Sequence, residues 1–410
     1  MDFKNKINVV NTMIGSGKTS AAINYINSTD SERFIVLTPY ESEVKRYCQA
    51  CPTKNFQKLR REIGNEKGKR KNVEDLREQV ELGSNIISTH SFLREFDPQI
   101  MEMCREKNYT LVLDEITDIV TKCEITQSDM EFLQNFADID SDTGFINWKE
   151  DKSNYVGRFS NIKRLCDIGA CTNYEKYYFL WLLPSKVLNC FDKVFILTYM
   201  FECQPQKYYY DYSKLNYSFI GVEFTDGKYR FSESLAAKDV ADYVNLIHIL
   251  DNYRMNNNGN TSNYLTLGWF KKNKNSQAAK QLVKDLTNFS KNIRSSKAGD
   301  LMWTTFKTYK NIFKNCGCVK GYVPLDCRAT NNYKDRTSVG YLAERHMEPL
   351  AKRFFKVHKI EVDEEKYALS EMLQFIWRSA IRRGNEIWVY VPSARMRTLL
   401  ENWIEENSNS

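Results

Sequence analysis

The sequence has no run approaching the ~18 consecutive apolar residues of a membrane-spanning helix, so no membrane association is expected. It shows no secretion signal either, because the apolar run Ile7–Val10 begins almost at once and reads as a strand. Its eleven cysteines lack metal spacing: Cys316 and Cys318, with Cys327 nearby, do not form the paired C-x2-C units of a zinc site. Without a targeting segment they read as reduced intracellular thiols, not as a disulfide framework. The two halves of the chain show no detectable repeat of each other.

What is present is a large folded protein. At 410 residues, 42% hydrophobic and 13% aromatic, the chain can bury a substantial core and is long enough for two or three domains. A formal charge of +7 suits a polyanionic partner, though only weakly.

The chain is organised around Val10-Asn-Thr-Met-Ile-Gly-Ser-Gly-Lys-Thr-Ser20. An apolar run leads in and a helix-compatible run, Lys18 to Ile26, leads out. Strand, glycine-rich loop, helix is the context of a phosphate-binding loop. Gly15 and Gly17 let the backbone curl so that the amides from Ser16 to Ser20 face an anion at a helix N-terminus. Lys18 would reach the β- and γ-phosphates of ATP, and the Thr19 hydroxyl would ligate Mg2+. Thr12 stands where the commonest form of the loop has its first glycine.

Further along, Arg33–Thr38, Asn85–His90, Tyr109–Leu113 and Lys193–Thr198 read as buried strands of a parallel sheet. Tyr109–Leu113 runs straight into Asp114-Glu115. A carboxylate at the carboxyl end of a buried strand is where such a sheet places its ligand chemistry. Asp114 would hold Mg2+ through water, and Glu115 would polarise the attacking water as general base. Lys18, Thr38, Asp114 and Thr198 thus converge on one sheet edge. Lys54–Lys71 is strongly basic and reads equally as a solvated loop or a phosphate-backbone contact. Residues 121–184 read as a polar, aromatic-rich, mostly helical insertion.

The first domain, residues 1–225, is followed by a second, residues 226–410. There a strand is expected at Tyr264–Leu267, a helix at Ser276–Ile293, a strand at Asp300–Thr304 and a helix at Gly340–Phe355. A helix at Glu364–Arg383, a strand at Glu386–Val391 and a final helix from Ala394 complete it. On the Glu364–Arg383 helix, Gln374, Arg378 and Arg382 recur every four residues as one polar stripe. Such a stripe is either a solvated face or a source of arginine fingers.

Taken in order, these motifs resemble those of the superfamily 2 helicases, the DEAD/DEAH-like group, in the compact form carried by bacteriophages. Thr12-Met-Ile-Gly-Ser-Gly-Lys-Thr19 resembles that group's first motif. Leu37-Thr-Pro-Tyr40 and Ser88-Thr-His-Ser91 resemble the next two, which contact the nucleic-acid backbone. Asp114-Glu-Ile-Thr117 stands in for the acidic box, and Leu197-Thr-Tyr-Met-Phe201 for the coupling motif, with Thr198 at its centre. Asp300–Thr304 opens the fourth motif, Arg328–Arg336 sits at the fifth, and Gln374-Phe-Ile-Trp-Arg-Ser-Ala-Ile-Arg382 is the sixth.

The resemblance covers the chain outside the insertion. Ile116 and Thr117 replace the last two residues of the box. Trp377 stands where glycine is usual, and Arg382 lies one residue later than the usual second arginine, so either Arg378 or Arg382 is the finger. No glutamine motif precedes the first strand.

The resemblance implies two tandem RecA-like α/β domains with parallel sheets flanked by helices. It implies an ATP- and Mg2+-dependent helicase or translocase acting in phage replication or recombination, in the cytoplasm of a bacterial host cell. Lys18, Glu115, Arg378 and Arg382 would be catalytic, and Gly15, Ser16, Gly17, Lys18, Thr19, Ser20 and Gln374 would hold the nucleotide. Thr19 and Asp114 would hold the metal, and Thr198 would couple hydrolysis to movement. Thr38, Pro39, Ser88, Thr89 and His90 would touch the strand. The expected partner is single-stranded or forked DNA, or RNA, with other phage replication proteins alongside. The alternatives are a terminase-like packaging ATPase, whose nuclease carboxylate cluster is missing around Glu386–Val391, and a module that binds nucleic acid without separating strands.

Overall fold

The structure is a computed structural model of the chain and describes residues 3–59, 66–117, 119–122, 126–141, 144–174, 178–234, 240–261, 263–297, 299–325 and 332–408. These fall into two compact units. One comprises Met1–Thr12, Gly17–Ala236 and Pro349–Val362; the other comprises Met13–Ser16, Ala237–Glu348 and Asp363–Ser410.

Unit 1 is built in chain order from β1 (Ile7–Asn11), α1 (Lys18–Ser28), β2 (Arg33–Thr38), α2 (Glu41–Ala50), β3 (Gln57–Lys58) and α3 (Glu66–Glu81). It continues through β4 (Ile86–Thr89), α4 (Pro98–Glu106) and β5 (Tyr109–Asp114) into the inserted segment. Every residue of β5 is buried, and five of the six in β2. That is why these strands read as continuous apolar runs and not as alternating ones.

The segment predicted as mostly helical also holds strands. It comprises β6 (Val120–Lys122), α5 (Gln127–Leu133), β7 (Ala137–Ile139), β8 (Ile146–Trp148), α6 (Ser160–Asp167), β9 (Cys171–Tyr174) and β10 (Tyr178–Leu182). β6, β10 and β9 form one small antiparallel sheet, and β7 pairs with β8. Strands of three to five residues are too short to display a two-residue period against a polar, aromatic background.

After α7 (Ser185–Asn189) come β11 (Lys193–Thr198), α8 (Pro205–Tyr212) and the hairpin β12 (Tyr217–Thr225) and β13 (Lys228–Ser232). The main sheet runs β13-β12-β1-β11-β5-β2-β4-β3 and is parallel except for that hairpin. Ala21, Ala22, Ile23 and Ile26 of α1 and Val44 and Tyr47 of α2 cover one face, packing on Val10, Val36, Val112 and Leu197.

Unit 2 contains α9 (Ala241–Val244), β14 (Ile247–Ile249), α10 (Tyr253–Asn256), α11 (Leu267–Asn273), α12 (Gln277–Asn288), β15 (Leu301–Thr304) and β16 (Ser338–Tyr341). The chain then returns to unit 1 as α13 (Pro349–Val357), whose Phe354 and Phe355 meet Tyr212 and Tyr208 of α8 edge-on at 5.2 and 5.6 Å. Unit 2 ends with α14 (Glu364–Ile376), β17 (Ile387–Tyr390) and α15 (Ala394–Ser408) around a parallel sheet, β14-β17-β16-β15. Both units are therefore α/β, with parallel sheets flanked by helices.

Three expectations in the second half are corrected. Tyr264 and Leu265 are buried but turn, with Leu265 at φ 65°, and Thr266 caps α11 by accepting from the Trp269 amide. Their apolarity reflects burial and not strand pairing. The stretch expected as a helix from Gly340 to Phe355 opens as β16, a wholly buried strand paired with β15 on one side and β17 on the other, and helix returns only at Pro349. The helix expected to reach Arg383 stops at Ile376. Ser379 is extended (φ −78°, ψ −170°), and Ala380–Arg383 is a separate 3-10 turn. Gln374, Arg378 and Arg382 therefore do not share one helical stripe.

Candidate active site

β1 delivers the chain to the carboxyl edge of the sheet, where the Thr12 amide bonds the Thr198 carbonyl at 3.3 Å. A turn closed by the Ser16 amide on the Met13 carbonyl (3.2 Å) follows, with Gly15 at φ 85° and Gly17 at φ 94°. Gly17 is glycine for two reasons. Its backbone is left-handed, and a Cβ there would stand 2.3 Å from the ring of Tyr229.

Gly17 caps α1 with no side-chain hydrogen bond, and the first turn of α1 carries no acid. The positive end of the helix dipole therefore faces the loop uncompensated, an arrangement suited to an anion. Lys18 Nζ donates to the Thr12 carbonyl at 2.6 Å, which holds the ammonium against the loop that its own backbone forms.

Asp114 ends β5 on the same edge. Thr19 Oγ1 donates to its carboxylate at 3.3 and 3.4 Å, across 95 residues of sequence. The Tyr47 hydroxyl donates to Oδ2 at 3.1 Å, and His90 Nε2 donates to the Asp114 carbonyl at 3.0 Å. Glu115 stands in a left-handed conformation (φ 71°), its amide bonded to the Leu197 carbonyl at 2.9 Å. That bend takes its side chain out of the strand's alternation.

Burial, together with the charges of Glu115 and Glu43, pushes the Asp114 carboxyl up to about 7, against the opposing pull of Tyr47 and Arg46. A carboxyl raised in the fold stabilises the fold fully below its ordinary value near 3.8, and that stabilisation is lost as pH rises through about 7. In chelator, wild type should therefore lose stability between about pH 4 and pH 8, by at most about 4 kcal/mol from this group. Asp114→Asn should lack that slope and melt higher than wild type at pH 8. Matching pH profiles in calorimetry would show that Asp114 is not the group responsible.

Among the described residues no cluster of three or more His, Cys, Asp or Glu could hold a metal. The half-buried Thr19 hydroxyl and the buried Asp114 carboxylate are nonetheless hard oxygen donors within hydrogen-bond distance of each other. They fit a small divalent cation whose remaining ligands are water and phosphate oxygens.

Thr198 ends β11 between the two loops and is wholly buried, its hydroxyl without a hydrogen-bond partner among the described residues. Of the residues expected to touch a strand, Thr38 and Ser88 are buried, their hydroxyls donating to the carbonyls of Tyr40 and Leu59. Pro39, Thr89 and His90 are half-buried at the same edge.

The sixth-motif residues belong to unit 2. Gln374 sits in the last turn of α14, buried, its amide nitrogen without a partner among the described residues. Arg378 follows in the turn, 6% exposed, its guanidinium 5.6 Å above the Phe375 ring. Arg382 is half-exposed on the 3-10 turn. The fifth motif reaches the sixth where the Ala380 amide bonds the Arg336 carbonyl at 2.9 Å; residues 328–331 of that motif lie outside the described residues.

Two site residues were not legible in the sequence. Tyr47 lies on the buried stripe of α2 beside Val44, where a tyrosine hydroxyl must find an acceptor. Nothing in the sequence says that the acceptor is Asp114. Tyr229 carries no motif at all.

Residues 241–404 match the YonV C-terminal Rossmann-like domain, and residues 120–181 match the YonV middle domain. The chain is 32% identical over 409 residues to the SPbeta prophage-derived uncharacterized protein YonV of Bacillus subtilis (strain 168), covering 98% of this chain and 99% of that one. Among solved structures it is similar to S. tokodaii Xpd4, with a TM-score of 0.47, 10% identity, and 97% and 94% of the two chains covered. An XPD helicase gives a TM-score of 0.42 at 10% identity, covering 99% and 95%.

Proposed function

The chain belongs to the YonV family, and we propose that it hydrolyses ATP to move along or separate nucleic-acid strands. The observation that carries this reading is the meeting of Thr19 and Asp114 at 3.3–3.4 Å, on the loop after β1 and the end of β5. A phosphate loop supplies a cradle, and a carboxylate at that distance supplies the cation's anchor. Glu115, bent out of its strand beside them, supplies the base.

In this reading the amides from Gly15 to Ser20 and the Lys18 ammonium hold the phosphates of ATP. Thr19 and Asp114 would hold Mg2+, which when bound would offset charge on the phosphates. Glu115 takes a proton from the attacking water. Gln374 would contact the nucleotide, Arg378 or Arg382 would act as the finger that offsets charge on the phosphates, and Thr198 would pass the change at the phosphates to the strand.

The strand lies along the edge carrying Pro39, Thr89 and His90. Thr38 and Ser88, their hydroxyls bonded inward, shape that edge through the backbone. A prophage-derived relative makes phage replication or recombination the natural setting, with single-stranded or forked DNA as substrate and other replication proteins as partners.

Turnover should rise when single-stranded nucleic acid is added, because a bound strand favours the competent conformation. Its affinity should fall steeply between 50 and 200 mM salt as phosphate contacts release counterions. ATPase assays with DNA and RNA strands, at both salt concentrations, test this. Turnover indifferent to every strand tried leaves an ATPase that is not a motor.

A further inference from the structure

Strand order gives a ligand on the phosphate loop two distinct ends. β11 and β5 lie on one side of β1, bringing Asp114 and Glu115; β12 and β13 lie on the other. β12 runs parallel to β1 with Val10 opposite Ile220, so the hairpin beyond Gly221 projects past the edge where the loop begins.

The hairpin is held against α1. The Asn24 amide donates to the Tyr229 carbonyl at 2.9 Å, and the Tyr229 ring packs against Gly17, the last glycine of the loop. Phe224 is the direct cross-strand partner of Tyr229, with ring centroids 4.8 Å apart. The apolar row Ile220, Val222, Phe231 and Tyr229 belongs to the core that packs on α1, and Phe224 continues it outward, 63% exposed. Beside it, a cavity of about 690 Å3 runs along α1, lined by Asn24, Asn27, Lys228, Tyr229 and Arg230 among others.

We propose that the Phe224–Tyr229 pair on the β12–β13 hairpin is the platform on which the base of a bound purine nucleoside triphosphate stacks. The proposal rests on the phosphate-loop reading above. With the terminal phosphates directed to Asp114, the nucleoside end points toward the hairpin. The two rings there, tilted 54° to each other, offer an apolar surface whose exposed part is Phe224. Stacking on aromatic faces is strong for every base and strongest for purines, which present the larger face.

The test compares ATP with inorganic tripolyphosphate, each with Mg2+, by calorimetry on the full chain. Wild type should bind ATP at least 10-fold more tightly than tripolyphosphate. Phe224→Ala, which removes only an exposed ring, should weaken ATP about 10-fold and leave tripolyphosphate unchanged. Tyr229→Ala should do the same more strongly, and Tyr229→Phe should bind as wild type. If both alanine variants bind ATP like wild type, the platform is elsewhere and the phosphate loop stands. If wild type binds neither ligand, the phosphate-loop reading fails and takes the platform with it.

Discussion

Lys18→Ala will abolish ATP turnover and leave the fold intact. Lys18 is half-exposed, and its contact with the Thr12 carbonyl joins two parts of one loop, so its loss should cost about 1 kcal/mol or less. Its charge has no substitute. Among the residues of the loop, Met13–Ser20, it is the one cation, and the amide dipoles around it are fixed partial charges at most. Removing a preorganised donor from developing charge costs about 10^2–10^3 in rate, and a full positive charge at the phosphates should cost at least that. Turnover, ATP affinity and melting temperature should be measured together. Undiminished turnover in a folded variant would remove the nucleotide site from this loop, and collapse of the fold would make the lysine structural.

The second large effect separates the two arginines. As an arginine finger, Arg382 should lower turnover by about 10^3 when replaced by alanine, with ATP binding retained. Half-exposed on its 3-10 turn, it should cost little stability. Arg378 differs physically. It is 6% exposed and lies over Phe375, so Arg378→Ala leaves a buried gap as well as removing a charge. It should lower the melting temperature by several degrees in addition to any loss of turnover. A kinetic defect confined to Arg382 makes that residue the finger; one in Arg378 that survives correction for folded fraction makes it Arg378. Normal turnover in both would mean that the sixth motif takes no part in hydrolysis.

The glycine-rich turn and the acidic strand end were readable because their geometry is local. A Gly-x-Gly-Lys-Thr sequence between a strand and a helix needs positive φ at its glycines and an uncapped helix start, and both are dictated within about ten residues. The central strands were equally plain, since a strand buried on both faces shows as an unbroken apolar run. Asp114-Glu115 followed from its place at the end of such a run.

Other features were misread where a local pattern had more than one solution. Tyr264 and Leu265 are apolar because they are buried, and burial alone does not distinguish a turn from a strand. The four-residue spacing of Gln374, Arg378 and Arg382 fits a helix, yet the backbone leaves the helix after Ile376.

The sequence by itself determined the glycine-rich turn before α1, the acidic strand end and the α/β class, because each follows from backbone geometry and burial within a short window. Only the tertiary structure decided which distant side chains meet there. Tyr47 on Asp114, Tyr229 on Gly17 and the return of α13 to Tyr208 and Tyr212 join residues tens to hundreds of positions apart. Such contacts are selected by the shape and polarity of surfaces that exist only once the sheet has formed, and no periodicity in the chain encodes them.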